Sequence, residues 1–418
     1  MLIKSLKARE ILDSRGVPTI EAVLETDRGL FKASVPSGTS RGRYEAIELR
    51  DGGTRFFGKG VLKAVGNIEK TIASAVSQKE FASQKEIDDF LIALDGTPNK
   101  SNLGANAILA VSVAFAWAFA CECGKPLFSF IAELAGKGQT SENLELPKGC
   151  FNILEGGRHA GNDLEIQEFM IVPHMENFAE NLRASSEIYY YLKIILVKNF
   201  GDLAMNTGYE SGFAPALKKA EQALDFLMEA INQAGYEGKV RIGLDIAASE
   251  LLHDGKYKIN GKLVKPEKLL DYYLKLLKRY PILFLEDPFG ENDFESWQGI
   301  ISRLEIKNSS LLIMGDDLTA TNPERIKMAQ EKSLCNAVII KPNQIGTVWE
   351  AITAAKLAKN VGWKIIVSHR AGETTDDFIA DLAVGLEADF IKSGAPAGGE
   401  RVVKYNRLLE IEQELNDS

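Results

Sequence analysis

From about residue 239 the chain repeats one device: a short apolar run that ends abruptly on a charged or ionisable residue. KVRIGL leads to Asp245, ILFL to Glu286, LLIMG to Asp316, AVII to Lys341, KIIVS to His369 and Arg370, and ADFI to Lys392. The spacings between successive end residues (41, 30, 25, 28 to His369, and 23 from there to Lys392) each leave room for one helix and a return to a parallel strand. Helical patterns such as PEKLLDYYLKLLKRY (266–280) and TVWEAITAAKLAKNVG (347–362) fill the gaps. Continuously apolar strands imply burial on both faces. The economical closure is an α/β fold of the (β/α) barrel kind, with the polar strand ends lining one open face. A doubly wound open sheet is the alternative, but it gathers its site at one switch point. Six successive strands that each end on such a group fit the closed barrel better.

The chain before this series has another rhythm. PTIEAVLET (18–26) and GLFKASV (29–35) predict a β-hairpin around Asp27-Arg28-Gly29, followed by the polar, glycine-rich PSGTSRGR (36–43). Helical patterns run from about Val61 to Leu134. AGKGQTSENLELPKG (135–149) has linker composition, which divides the chain into residues 1–134, a linker at 135–149 and residues 150–418.

With 45% hydrophobic residues in 418 there is ample material for a packed core. The net charge of −9 argues against a nucleic-acid partner, since no global basic surface is available. The apolar run LAVSVAFAWAFAC (109–121) is short for a bilayer span and reads as a buried helix, so no membrane association is expected. MLIKSLKAREILDSRG has no apolar stretch of signal-peptide length. The four cysteines (121, 123, 150 and 335) form no metal or disulfide framework. Cytoplasmic residence is the expectation.

The strand ends suggest a chemistry. Asp245, Glu286 and Asp316, held together from separate strands, make an oxygen-only site suited to a hard cation, Mg²⁺ above all. Lys341 emerges from the apolar AVII, with Lys392 two apolar runs later. A divalent cation and a second ammonium beside Lys341 would lower its proton affinity and make it a base. A lysine base with Mg²⁺ suits proton abstraction next to a carboxylate. GRHAGN carries His159, EIQEFM carries Gln167 and Glu168, and NTGYESGFAP carries Glu210. Glu168 and Glu210, singly or sharing a proton, are candidates for the acid that an elimination requires. His174 and His253 lie in loop-like sequence and receive no role.

DSRGVPTIE, VPSGTSRG, FGKGV, LDGTPNKSNLGANAILAVS, QEFM, EDPF, DDLTATNP, KPNQIGT, SHRAGET and IKSGAP occur in the order in which enolases carry such segments. The chain resembles the enolase family over nearly its whole length. The resemblance implies a small N-terminal α+β domain followed by an enolase-type (β/α)8 barrel. It implies dehydration of 2-phosphoglycerate to phosphoenolpyruvate through a metal-stabilised enolate, with two Mg²⁺ per active site. It also implies a small anionic substrate and a homo-oligomer, dimer or octamer. By position, Asp245, Glu286 and Asp316 match ligands of the first Mg²⁺, and Ser40 matches a mobile-loop ligand of the second that also meets substrate. Lys341 matches the base and Glu210 the acid, with Glu168 beside it. Lys392, Arg370, Gln167 and His159 match substrate contacts, and His369 belongs to the polar wall on the acid side.

The chain departs from the usual family pattern at several places. Ala371 stands for a serine after the phosphate-binding arginine. Arg41 stands for a threonine, with Arg43 two further on. Glu155-Gly156-Gly157-Arg158-His159 replaces Asn-Gly-Gly-Ser-His. Tyr209 and Ser211 replace Asp and Gly on either side of Glu210. Gly398-Gly399 replaces Arg-Ser, and Glu410 replaces an arginine that commonly pairs across a dimer with a glutamate like Glu21. Guanidinium groups at 41, 43 and 158 are suited either to an additional anionic group or to solvent. Two other readings are therefore carried: a paralogue with the same enolate chemistry on another phosphorylated or phosphonate substrate, resembling carboxyphosphonoenolpyruvate synthase, and a non-catalytic binding or structural protein on the same scaffold.

Overall fold

The computed structural model describes residues 1–39, 42–77, 79–136, 144–304 and 310–417. Ser40, Arg41 and residues 137–143 of the predicted linker lie outside these. The chain opens with an antiparallel sheet of β1 (Ile3–Leu12), β2 (Pro18–Thr26) and β3 (Gly29–Ser34). β2 and β3 are the predicted hairpin. β1 had no strand signal because its charges alternate with apolar residues along an edge, leaving it mostly half-exposed.

The helix Ala105–Glu122 packs across β2 and β3 and is buried nearly all round. It begins four residues before the predicted run, because Ala105 to Ile108 continue the turn after Gly104. With 18 residues and a mean hydropathy of 1.6 it is long and apolar enough to cross a membrane by composition alone, and 83% of it is buried inside the protein. It is the core helix of the N-terminal part.

The rest of the chain winds into a barrel. Its strands are β4 (Lys148–Glu155), β5 (Glu168–Pro173) and β6 (Val240–Asp245). A three-stranded excursion follows, β7 (Leu252–His253), β8 (Lys256–Ile259) and β9 (Lys262–Val264). Then come β10 (Ile282–Glu286), β11 (Leu312–Gly315), β12 (Ala337–Ile340), β13 (Lys364–Ser368) and β14 (Phe390–Lys392). Excluding the excursion, neighbours around the closed ring follow chain order, from β4 to β14 and back to β4. All pairs are parallel except β4–β5 and β5–β6. Only twelve residues, Gly156 to Gln167, separate β4 from β5, too few for a crossover helix, so β5 returns antiparallel.

That reversal has a consequence at the rim. In β5 the first residue, Glu168, stands opposite the last residues of both neighbours, Glu155 and Asp245. It therefore joins the C-terminal ends of the parallel strands. The six runs recognised in the sequence become β6 and β10 to β14, buried on both faces. Met170, Phe284, Met314, Ile339, Ile366 and Phe390 fill the inside.

The N-terminal sheet is fastened over this rim. Ser37 and Gly372 exchange backbone hydrogen bonds of 2.8 and 3.0 Å, and the Ser34 amide donates to Asp376 at 2.9 Å. Inside the barrel, Gly243 lies against the Phe284 ring, where a Cβ would fall 2.0 Å from Cζ. Gly243→Ala is expected to cost about 1–3 kcal/mol through overpacking, read from urea unfolding, with Phe284→Leu in the same chain restoring part of the loss.

Candidate active site

Strand geometry delivers the predicted residues to one small cavity of about 40 Å³. Asp245, Asp316, Lys341 and Lys392 reach it from β6, β11, β12 and β14. His369 and Arg370 follow β13, Glu168 begins β5, and His159, Gln167 and Glu210 come from the loops beside it. Glu286 lies just beneath, fully buried.

On one side, lysines and carboxylates interlock. The Lys392 ammonium donates to both Glu286 oxygens at 2.9 Å and to Glu168 Oε2 at 3.1 Å, and lies 3.7 Å from Asp245 Oδ2. Lys341 donates to Asp316 Oδ2, and Gln344 donates to Asp316 Oδ1 at 2.9 Å. Gln167 donates to Asp245 at 3.3 Å. Burial, then the charge of Asp245, pushes the Glu286 carboxyl up to about 8 despite Lys392. Negative charge is thus in excess here even with both lysines in place, and every donor is a hard oxygen. This set fits a divalent cation such as Mg²⁺.

Two findings refine the sequence reading. Burial is the largest influence on Lys341 and lowers its proton affinity, as do Lys392 and Arg370, but Asp316 and Glu286 act the other way and the net shift is upward. The chain's own groups therefore do not produce the lowered lysine that was expected. Among the described residues, ligand atoms come within 4.8 Å of one another in His159–Glu168–Glu210 and in Asp287–Asp316–Asp317, not in Asp245–Glu286–Asp316. Lys392 stands between Glu286 and Asp245. Asp287 has a structural use, accepting the backbone N–H groups of Asp316 and Asp317 at 2.9 and 2.7 Å.

The opposite side holds the imidazoles. Glu210 accepts from Asn152 at 3.0 Å and lies 3.2 Å from His369 Nε2 and 3.6 Å from His159 Nδ1. His159 Nδ1 is also 3.5 Å from Glu168. Burial is the largest influence on Glu210 and raises it, but His369, His159 and Arg401 together reverse this and hold the carboxyl well below its ordinary range. Burial, then Glu210, pushes Glu168 well above its own. Carboxyl groups this close cannot all be ionised, so the set shares its protons. Burial brings His369 down to about 4, so it is neutral. Arg401 Nη1 lies 2.6 Å from His369 Nδ1. A guanidinium only donates, so His369 Nδ1 accepts and its proton sits on Nε2, facing Glu210.

Sequence reasoning missed Arg401 and Glu45. Arg401 is fully buried and also donates to the carbonyls of Tyr209, Arg370 and Ala371. Its signal was spacing: Arg401, Lys404, Tyr405, Leu408 and Ile411 share the buried face of the C-terminal helix, Gly399–Asn416. Glu45 grips Arg370 through two bonds of 2.9 and 3.1 Å. It lies just beyond PSGTSRGR (36–43), in a stretch to which the sequence reading gave no role.

Residues 3–131 match the family described as "Enolase, N-terminal domain", and residues 143–418 match "Enolase, C-terminal TIM barrel domain". The chain belongs to the enolase family. Enolase B of Dictyostelium discoideum is 49% identical to it over 429 residues, covering 99% of this chain and 95% of that one. As an enolase it is a carbon–oxygen lyase of the hydro-lyase kind, phosphopyruvate hydratase-like.

Within this enolase the unusual residues occupy different places. Ala371 lines the cavity. Tyr209 is 46% exposed and contributes backbone groups instead: its N–H donates to the His159 carbonyl and its carbonyl accepts from Arg401. Arg158 pairs with Glu250 at 2.6 Å beside an open groove of about 670 Å³ that also holds Lys218, Lys219 and Lys258. The Arg43 amide approaches Glu291 at 3.4 Å. Neither the Tyr209 nor the Arg158 side chain is positioned for the cavity. Ser211 and Gly398 are matched: Ser211 adopts φ +67°, and a Cβ at 398 would lie 2.5 Å from its hydroxyl.

His369 gives a pH test. Its folded value of about 4 lies below its ordinary 6.5, so between these limits the unfolded chain binds more protons. Its contribution to stability is present above pH 6.5 and is lost as pH falls towards 4. The stability advantage of the native protein over His369→Gln is expected to shrink across that window, by up to about 1.4 kcal/mol per pH unit, in denaturant titrations at stepped pH.

Proposed function

We propose that the chain dehydrates 2-phosphoglycerate to phosphoenolpyruvate, with Lys341 as base and Glu210 as acid. The observation that carries this reading is their placement. Lys341 directly follows β12, and Glu168 begins β5, four strands away in either direction around the eight-stranded ring. Glu210 shares His159 with Glu168. Base and acid thus face a bound substrate from opposite sides, as an anti elimination requires.

Lys341 Nζ takes the proton from C2, and the electron pair released is first held as the enolate of the substrate carboxylate; it then forms the C2–C3 double bond as the C3–O bond breaks. Glu168 carries the proton that the pair shares, and Glu210 passes it to the departing hydroxide, which leaves as water. Arg370 holds the phosphate, while Lys392, Gln167 and His159 orient the substrate, and neutral His369 fixes the Glu210 carboxyl. Asp245, Glu286 and Asp316 would hold one Mg²⁺, and Ser40 would serve a second and the substrate. When bound, Mg²⁺ supplies positive charge against the carboxylate oxygens where negative charge gathers during the reaction. Lys341 must release its proton to act, which requires that a cation engage Asp316 and weaken its hold.

The reading extends to the chain's organisation. Residues 1–134 serve as a cap and residues 150–418 as the barrel carrying the chemistry. Exposed Tyr190, Ile194 and Leu203 support a homo-oligomer. The usual cross-subunit ion pair has no counterpart in sequence, since Glu21 pairs with Arg9 and Glu410 with Arg407 within the chain. Four unbridged cysteines agree with cytoplasmic residence.

Purified protein with 2-phosphoglycerate and Mg²⁺ should generate the ultraviolet absorbance of the enol product. Chelation should abolish it, and added Mg²⁺ should restore it. Absence of turnover at high protein concentration rejects the reading. Lys341→Ala should lose both C2 proton exchange and dehydration. Glu210→Gln should keep exchange and lose dehydration by about 10²–10⁴-fold. Equal loss of both reactions in Glu210→Gln would remove it from the acid role.

A further inference from the structure

Glu155 ends β4 and is fully buried, and among the described residues no lysine or arginine forms an ion pair with it. Its carboxyl lies directly beneath the loop that carries Glu210. Oε1 accepts the backbone N–H of Gly212 at 2.6 Å and that of Glu210 at 3.1 Å. Oε2 lies 4.0 Å from His159 Nδ1. The loop is shaped to receive it: a Cβ at Gly208 would fall 2.3 Å from Oε2, and one at Gly212 would fall 3.0 Å from Oε1.

The remaining backbone groups of the loop are also engaged. The Gly208 N–H donates to the Gly212 carbonyl at 2.8 Å, and the Glu210 carbonyl accepts from Ala395 at 2.9 Å. Tyr189 donates to the Ser211 carbonyl at 2.8 Å, and Arg401 to that of Tyr209 at 2.8 Å. Of these ties, only the one from Glu155 reaches the amide of the acid itself.

We propose that Glu155 is a positioning residue for the acid: its carboxyl pins the backbone at 210 and 212, so that the Glu210 carboxylate is held between His159 and His369. This rests on the reading of Glu210 as acid. The charged and titratable groups facing Glu155 are Glu210, His159, Tyr189 from the helix Phe178–Phe200, and Arg401 from the C-terminal helix. Burial and Glu210 push the Glu155 carboxyl well above its ordinary range, so it presents acceptor oxygens without adding a full negative charge behind the acid. His159 faces Glu155, Glu168 and Glu210, with Asp245, Lys392 and Lys341 beyond.

The test uses the full chain with Mg²⁺ and three substitutions. Glu155→Ala removes both acceptors. It should lower kcat for dehydration by about tenfold or more, with KM and C2 proton exchange changed less than about twofold. Glu155→Gln keeps an oxygen where both bonds converge and should stay within about threefold of the native rate. Glu155→Asp stays acidic but falls one methylene short, and should resemble Glu155→Ala. The Gln and Asp variants decide the matter if Glu155→Ala does not fold.

A second measurement needs no substrate. In ¹⁵N-imidazole spectra, the His159 signal, assigned by its loss in His159→Asn, should titrate at a different pH in Glu155→Asp than in the native protein, while His174 and His253 do not move. If the native protein fails on 2-phosphoglycerate, the proposed function falls, and the His159 titration still decides whether Glu155 pins the loop. A native rate in Glu155→Ala, a Glu155→Gln variant as impaired as Glu155→Asp, or an unmoved His159 titration overturns the inference.

Discussion

Buried negative charge at one rim of the barrel governs the rest of the structure. Glu168, Glu210, Asp245 and Asp316 are taken from solvent around one small cavity, with Glu286 buried just beneath it. Desolvated carboxylates repel, and each must find a cation, a hydrogen-bond donor or a proton. The chain supplies all three. Lys392 spans Glu286, Glu168 and Asp245, Lys341 takes Asp316, and Asn152 and the histidines surround Glu210. Even so Glu286 is driven towards its protonated form. The site resists being charge-balanced by protein alone, which makes it receptive to a small hard cation. The same buried charges make it a poor contributor to stability.

Precision on the acid side comes from backbone rather than side-chain packing. The loop at 208–212 carries no regular secondary structure, yet its polar groups are engaged by Glu155, Tyr189, Arg401 and Ala395. Arg401 does two things at once: it closes off loose carbonyls around the strand end after β13, and it fixes which nitrogen of His369 bears the proton. The N-terminal part contributes through Glu45, whose carboxylate occupies Arg370.

Much of the barrel was legible because apolar runs interrupted by a single charge are a strong pattern. All six runs became strands, and each terminal residue stands at the rim or just beneath it. The antiparallel strand was not legible. EFMIVP is apolar, but nothing in its composition states its direction, which follows from the short connection to β4. Arg401 and Lys404 escaped notice as charges on a helix, where solvent is the ordinary partner; burial against the strand ends became visible only with the helix docked. The pairing of Lys341 with Asp316 was also hidden, since sequence placed both at the rim without saying which would touch. Among the unusual residues, sequence distance from the motifs misled. Arg158 is adjacent to His159 yet turns to Glu250, whereas Glu155, four residues before His159, lies under Glu210.

The direction of β5 also sets where this protein can tolerate a change in length. Side chains on a strand alternate between faces, so one extra residue within Glu168–Pro173 would turn every side chain of that strand about and replace Glu168 at the rim. One extra residue between Gly156 and Gln167 could be absorbed on the open side of the loop, away from the glycines that hug its neighbours. The stretch joining β4 to β5 is thus two kinds of territory separated by a single peptide bond, one able to drift in length and one locked in step with the strands on both sides.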